Sequence, residues 1–256
     1  MESVVSAGMC VAWRHARVPR GPLTGVRPFL LQGRAAVGVL LFHTAAGPAD
    51  DFVFQQAEAL LERLDNAAVF VADMFGAAEG FVTPPRSTAL MAALRERRAA
   101  QAERAALAAR ALREACPEVA QGRLAAVGYC YGGQVVLDLA RAQLVPGLKA
   151  VGSMHGMLGA VKGEDIAVEP MGATRVLACH GALDPFVTQE DVADFEADMS
   201  ARDADWTLHT YGEAMHAFTR PDKTTLTDHA SGFHYSARRA NEAMAAFVAL
   251  VGETCS

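Results

Sequence analysis

Basic charge is scarce: 23 Lys and Arg stand against 29 Asp and Glu, a net charge of −6. The positive footprint that nucleic-acid binding requires is therefore missing. Cysteines are few and follow no pairing pattern. Cys10, Cys116, Cys130, Cys179 and Cys255 are odd in number, widely spaced and form no CxxC. That argues against a disulfide framework or a structural zinc site and fits a reducing cytoplasm. No run approaches the ~18 to 20 uncharged apolar residues that span a bilayer, so no membrane partner is expected. The apolar run from Val4 to Trp13 has Glu2 before it and Arg14 and Arg17 after it. That is the reverse of a signal peptide's order, and no export signal is expected. Low-complexity segments, internal repeats and Ser/Gly linkers are also lacking. A chain of 256 residues that is 52% hydrophobic should fold, and α/β domains reach ~250 residues, so a single domain over 1–256 is the expectation.

What is present is an alternation. Short β-rich apolar runs at 36–42, 67–72, 124–129, 150–154 and 175–179, with a further one at 206–211, are separated by helical patterns at 50–65, 88–115, 133–143, 189–200 and 236–250. Several runs are continuously apolar, as expected for strands covered on both faces, so the pattern predicts a mostly parallel sheet between helices. Thr188 and Asp191 read as a capping box opening the fourth helix. The helix at 88–115 would be ~42 Å long, too long for this domain unless broken. Its arginines, Arg95, Arg97, Arg98, Arg104, Arg110 and Arg113, alternate with glutamates and predict a solvated face.

The sharpest motif is Gly128-Tyr129-Cys130-Tyr131-Gly132-Gly133, between the run 124–129 and the helix at 133. It reads strand, sharp turn, helix, the local form of a nucleophile elbow with cysteine in the serine position. From the composition a chance GxCxG is expected about 0.04 times, so the match is informative. The other cysteines lack such a turn: Cys179 reads as strand core and Cys116, before Pro117, as a helix end. A thiol needs an oriented base to become an attacking thiolate. Asp184 follows the run 175–179 and His216 follows 206–211, which places both at the carboxyl edge of the sheet. The chain order nucleophile, acid, base is that of α/β-hydrolases. His43, His155 and His180 also follow apolar runs and are expected near the pocket, with Phe75, Phe81 and Phe218 as candidate lining.

Through GYCYGG, HGALDPFV and MHAFTRP the chain resembles the dienelactone hydrolase family of the α/β-hydrolases, over about residues 30 to 250. The resemblance implies an α/β-hydrolase fold, a Cys-His-Asp triad at Cys130, His216 and Asp184, and hydrolysis of a small lactone or activated ester. It also matches Arg220 to a carboxylate-binding arginine. Two positions depart from the family pattern. His43-Thr44-Ala45 stands where the family carries a glutamate that meets the resting cysteine, and Met74-Phe75-Gly76 follows Asp73 without the family's arginine.

The expected chemistry is thioacyl formation on Cys130 and hydrolysis by a water that His216 activates. The oxyanion is expected at the backbone N–H of Tyr131 and a second donor near Thr44. Arg220, His43 and Phe75 are the candidate substrate contacts, and no metal or cofactor is implied. The competing reading is a non-catalytic ligand-binding protein of the same fold, and a sensor thiol is a weaker third. Oligomeric state is left open.

Overall fold

A computed structural model describes residues 5–6, 9–10, 36–76, 79, 82–119, 123–159 and 165–255. The sequence-predicted reading of Val4 to Trp13 falls largely outside the described residues, as does Phe81. Two short strands, β1 (Val5–Ser6) and β2 (Met9–Cys10), form an antiparallel pair. The core is a six-stranded parallel sheet of β3 (Val37–Phe42), β4 (Ala67–Ala72), β5 (Leu124–Tyr129), β6 (Leu148–Met154), β7 (Arg175–Gly181) and β8 (Asp205–Tyr211), in the order β4-β3-β5-β6-β7-β8. The helices are α1 (Asp51–Arg63), α2 (Arg86–Arg95), α3 (Arg98–Ala115), α4 (Tyr131–Ala142), α5 (Gln189–Ala201), α6 (Leu226–Ala230) and α7 (Ala237–Thr254).

The continuous apolar strands follow from this layering. Successive side chains of a strand point to opposite faces, so a strand covered on both sides must be apolar throughout. Leu40, Phe42, Phe70 and Ala126 join α3, α4 and α5 in one core. Val39, Leu41, Val71 and Val127 join α1 and α7 in the other. At the edge, β8 is mostly exposed or half-buried, and only Tyr211 is buried along it.

The long helix is broken, as its length required. Arg97 leaves helical geometry with φ −132° and ψ 70°, which separates α2 from α3. The solvated arginine face is corrected in part. Arg95, Arg97 and Arg110 are exposed, but Arg98 is drawn inward by the fully buried carboxylate of Asp138, which also accepts from Gln101 and Arg141. Local sequence could not show this, because Asp138 lies on α4, 40 residues away. The capping box at Thr188 and Asp191 is present. A second one, Thr225 with Asp228, opens the five-residue α6, which the same sequence signal would have found. Cys116 caps α3 and Cys179 is buried in β7, as expected. Among the described residues no helix is long and apolar enough to cross a membrane.

The strand order fixes where a site can form. From β3 the chain moves to β4 on one side, then returns to β5 on the other. The carboxyl ends of β3 and β5 therefore border the point where the order reverses, the usual ligand crevice of an open α/β sheet.

Candidate active site

Cys130 directly follows β5 at that crevice. Its backbone adopts φ 55° and ψ −115°, a conformation that costs a non-glycine residue on the order of 1 to 3 kcal/mol, so its surroundings must enforce it. The turn is tight enough to demand glycines. A Cβ on Gly128 would lie 1.9 Å from the carbonyl oxygen of Gly132, and a Cβ on Gly132 would lie 2.3 Å from that of Phe42. Two backbone hydrogen bonds hold the bend, from Cys130 N–H to Met154 and from Gly133 N–H to Cys130 itself. The thiol emerges half-buried at the start of α4.

Two loops bring the other members. Asp184 follows β7, and its carboxylate accepts from the Phe186 N–H at 2.9 Å and from the His216 Nδ1 at 2.7 Å. With Nδ1 directed to Asp184, the other ring nitrogen is directed to Cys130, and the two side chains are hydrogen bonded. His216 is fixed at its backbone as well, since its N–H donates to Gly232 and its carbonyl accepts from His234. Phe186 and Phe233 stand edge-on to its ring, at 5.0 and 5.6 Å between centroids. Sequence reasoning placed these three residues in order along the chain, and the structure brings them together.

The electrostatics favour a charged pair. Burial alone pushes the Cys130 thiol up, but the His216 charge and hydrogen bond, with the N–H groups of Tyr131 and Ala45, bring it below its ordinary value. Burial lowers His216, but the Cys130 thiolate and the Asp184 carboxylate outweigh it and raise the imidazole. Opposite shifts in adjacent groups favour the arrangement with the proton on the imidazole.

A labelling experiment reads this directly. An ordinary cysteine ionises near pH ~8.5, and only the thiolate is alkylated. Cys130 should therefore lose its iodoacetamide reactivity only as pH falls through a lower value. In His216→Ala the profile should move upward, because burial then acts without the imidazolium. A wild-type midpoint at or above that of a free thiol would refute the ion pair.

Several expected site residues have other employment. The second oxyanion donor was expected near Thr44, and the N–H that faces the sulfur beside that of Tyr131 is that of the next residue, Ala45. The Thr44 hydroxyl donates to Asp50 and accepts from the Ala46 N–H. Arg220 was expected to bind a substrate carboxylate. Its guanidinium is shared by Asp50 and Asp222 and lies over the Phe52 ring, 4.9 Å from the centroid. With Lys223 also paired to Asp222, the guanidinium is already matched by carboxylates of this chain and is not free for a substrate carboxylate. His43, expected to touch substrate, is wholly buried with both ring nitrogens engaged. Phe75 is buried against the rings of His43 and Tyr131, and Phe218 lies in the core beside His155 and Tyr211. His155 packs edge-on behind His216 at 5.1 Å and pairs with Thr219 at 2.7 Å. His180 is buried on β7. Asp50, the N-cap of α1, is a site neighbour that the sequence reading missed; its Gly-Pro-Ala-Asp setting signals a helix start and nothing more.

A family model described as the dienelactone hydrolase family matches residues 30–254. Among solved structures, a dienelactone hydrolase-like promiscuous phosphotriesterase from metagenomic libraries is 29% identical with a TM-score of 0.74, covering 87% of this chain and 88% of that one. A putative dienelactone hydrolase from Klebsiella pneumoniae shares the fold, with a TM-score of 0.60 at 20% identity over 86% of this chain and 88% of that one. An uncharacterized protein of Caenorhabditis elegans is 33% identical over 123 residues, which is 48% of this chain and 76% of that protein.

Proposed function

The chain belongs to the dienelactone hydrolase family, an α/β-hydrolase-fold family of ester and lactone hydrolases, and from that membership we propose that it hydrolyses small lactones or activated esters with Cys130 as nucleophile. The observation that carries this reading is the continuous line from sulfur to imidazole to carboxylate at the reversal point of the sheet.

The resting thiolate is held by the His216 imidazolium and by the N–H groups of Tyr131 and Ala45. When sulfur attacks the carbonyl carbon, the carbonyl oxygen gains the charge and takes over those two N–H donors. Each preorganised donor of this kind is worth ~10² to 10³ in rate. Collapse of the tetrahedral intermediate expels the alcohol or enol oxygen, which takes the proton from His216. Neutral His216 then removes a proton from water, which attacks the thioester, and the sulfur leaves as thiolate. Because thiolate is itself a good leaving group, the intermediate partitions forward only when the substrate's leaving group is stabilised. Enol and phenol esters meet that condition, and amides do not.

Mass spectrometry of protein mixed with a 4-nitrophenyl ester tests the path. The expected result is one acyl group on Cys130, accumulating further when deacylation is slowed at low pH, because His216 is then held protonated. Acylation at any other residue, with Cys130 unmodified during turnover, would sink the proposal.

A second substrate class is favoured by one similarity. The metagenomic relative is a promiscuous phosphotriesterase. A phosphoryl oxygen fits the same two-donor cradle as a carbonyl oxygen, and aryl phosphotriesters carry the same stabilised leaving group. Such an activity belongs in the same assay panel.

A further inference from the structure

His43 is the first residue after β3, wholly buried, with rings on two sides: Phe75 edge-on at 4.6 Å and Tyr131 at 6.1 Å. It makes two hydrogen bonds of opposite sense. Its Nε2 lies 3.0 Å from the Met74 nitrogen, whose N–H can only donate. Nε2 is therefore the acceptor, and the ring proton resides on Nδ1. That nitrogen lies 2.6 Å from the carbonyl oxygen of Thr44 and donates to it. Burial, the largest influence on the ring, lowers its basicity and keeps it neutral.

The Thr44 carbonyl and the Ala45 N–H are the two ends of one planar peptide unit. In a trans peptide they point in opposite directions, so gripping one end aims the other. The Ala45 N–H is the donor that faces the Cys130 sulfur beside that of Tyr131. We propose that His43 is a positioning residue: by donating from Nδ1 to the Thr44 carbonyl, it aims the Ala45 N–H at the oxyanion. Asp50 and Arg220 steady the same loop from the other side through the Thr44 hydroxyl. The rigid donor at Met74 supplies the second constraint, because it fixes which ring nitrogen carries the proton. This inference rests on the Cys130 hydrolase reading and extends it to the residue that sets the geometry of the hole.

Two substitutions separate the two hydrogen bonds. In His43→Asn the amide nitrogen sits as many bonds from the backbone as Nδ1 and keeps a donor for Thr44. In His43→Gln the amide reaches the depth of Nε2 and keeps only the partner of Met74. With a 4-nitrophenyl ester, the glutamine variant should lose about 10²-fold in kcat with KM within threefold of wild type, as loss of one oxyanion donor implies. The asparagine variant should retain kcat within about tenfold of wild type. Unchanged kcat in His43→Gln, or equal losses in the two variants, overturns the proposal. A purely structural role lowers both alike, in parallel with their melting temperatures.

Iodoacetamide labelling at pH 9 needs no oxyanion donor and should be normal in His43→Gln. A loss of labelling there means the cysteine itself was disturbed and also overturns the assignment. If the asparagine variant does not fold, His43→Gln decides by its kcat, KM and labelling together. Failure of the underlying reading shows separately, as full turnover by Cys130→Ala, and removes the proposal with it.

Discussion

Cys130→Ala should lower kcat/KM toward a 4-nitrophenyl ester by about 10⁴-fold, because residues that act as one catalytic unit lose nearly all of its effect when any member is removed. The substitution removes a single sulfur from a half-buried turn, so the fold should be retained and the loss should fall on chemistry. His216→Ala should cost nearly as much. The double variant should be scarcely slower than either single one, since a thiol without its base and a base without its thiol are equally idle. Purified variants assayed side by side give the answer. A loss of less than tenfold for Cys130→Ala would show that another group attacks the ester. Additive losses in the double variant would show that sulfur and imidazole act independently, contrary to their hydrogen bond.

The largest effect on stability should come from Asp138, away from the reacting atoms. Its carboxylate is fully buried on α4 and accepts from Arg98, from Gln101 and from Arg141 at 3.1 Å. Arg141 is itself buried and continues to Asp198, which binds Arg202. Removing one partner of such a network leaves a charge in low dielectric, a loss of about 3 to 5 kcal/mol. Asp138→Ala should therefore lower the melting temperature by on the order of 10 °C, at ~2 to 4 °C per kcal/mol for a domain of this size. Thermal unfolding at neutral pH measures it. A change of only a degree or two would mean that Asp198 alone satisfies Arg141. The network also reaches the site, since the Tyr131 hydroxyl donates to Gln101 at 2.9 Å. The residue that lends its N–H to the sulfur is thus tied by its side chain to the same buried charges.

Much of this protein is local physics and was readable from residue order alone. The six parallel strands are legible because a strand buried on both faces must be apolar throughout, and the runs at 67–72 and 124–129 coincide with β4 and β5. The elbow is legible because its glycines answer to contacts within and beside a few residues of chain. The order of Cys130, Asp184 and His216 is legible because each follows a strand and so reaches the same sheet edge.

Tertiary structure decided whatever depends on groups that meet only once the sheet is assembled. Arg220 lies 170 residues from Asp50, and nothing local shows that this carboxylate takes the guanidinium a substrate was expected to meet. Arg98 lies 40 residues from Asp138, and so the solvated face expected of it gave way to a part-buried ion pair. The second N–H donor belongs to Ala45 because a peptide plane is turned by His43, and a backbone donor carries no side-chain signal by which sequence could name it. Period and sterics act over a few residues and leave their mark in composition, whereas charge pairing and peptide orientation are settled by three-dimensional neighbours.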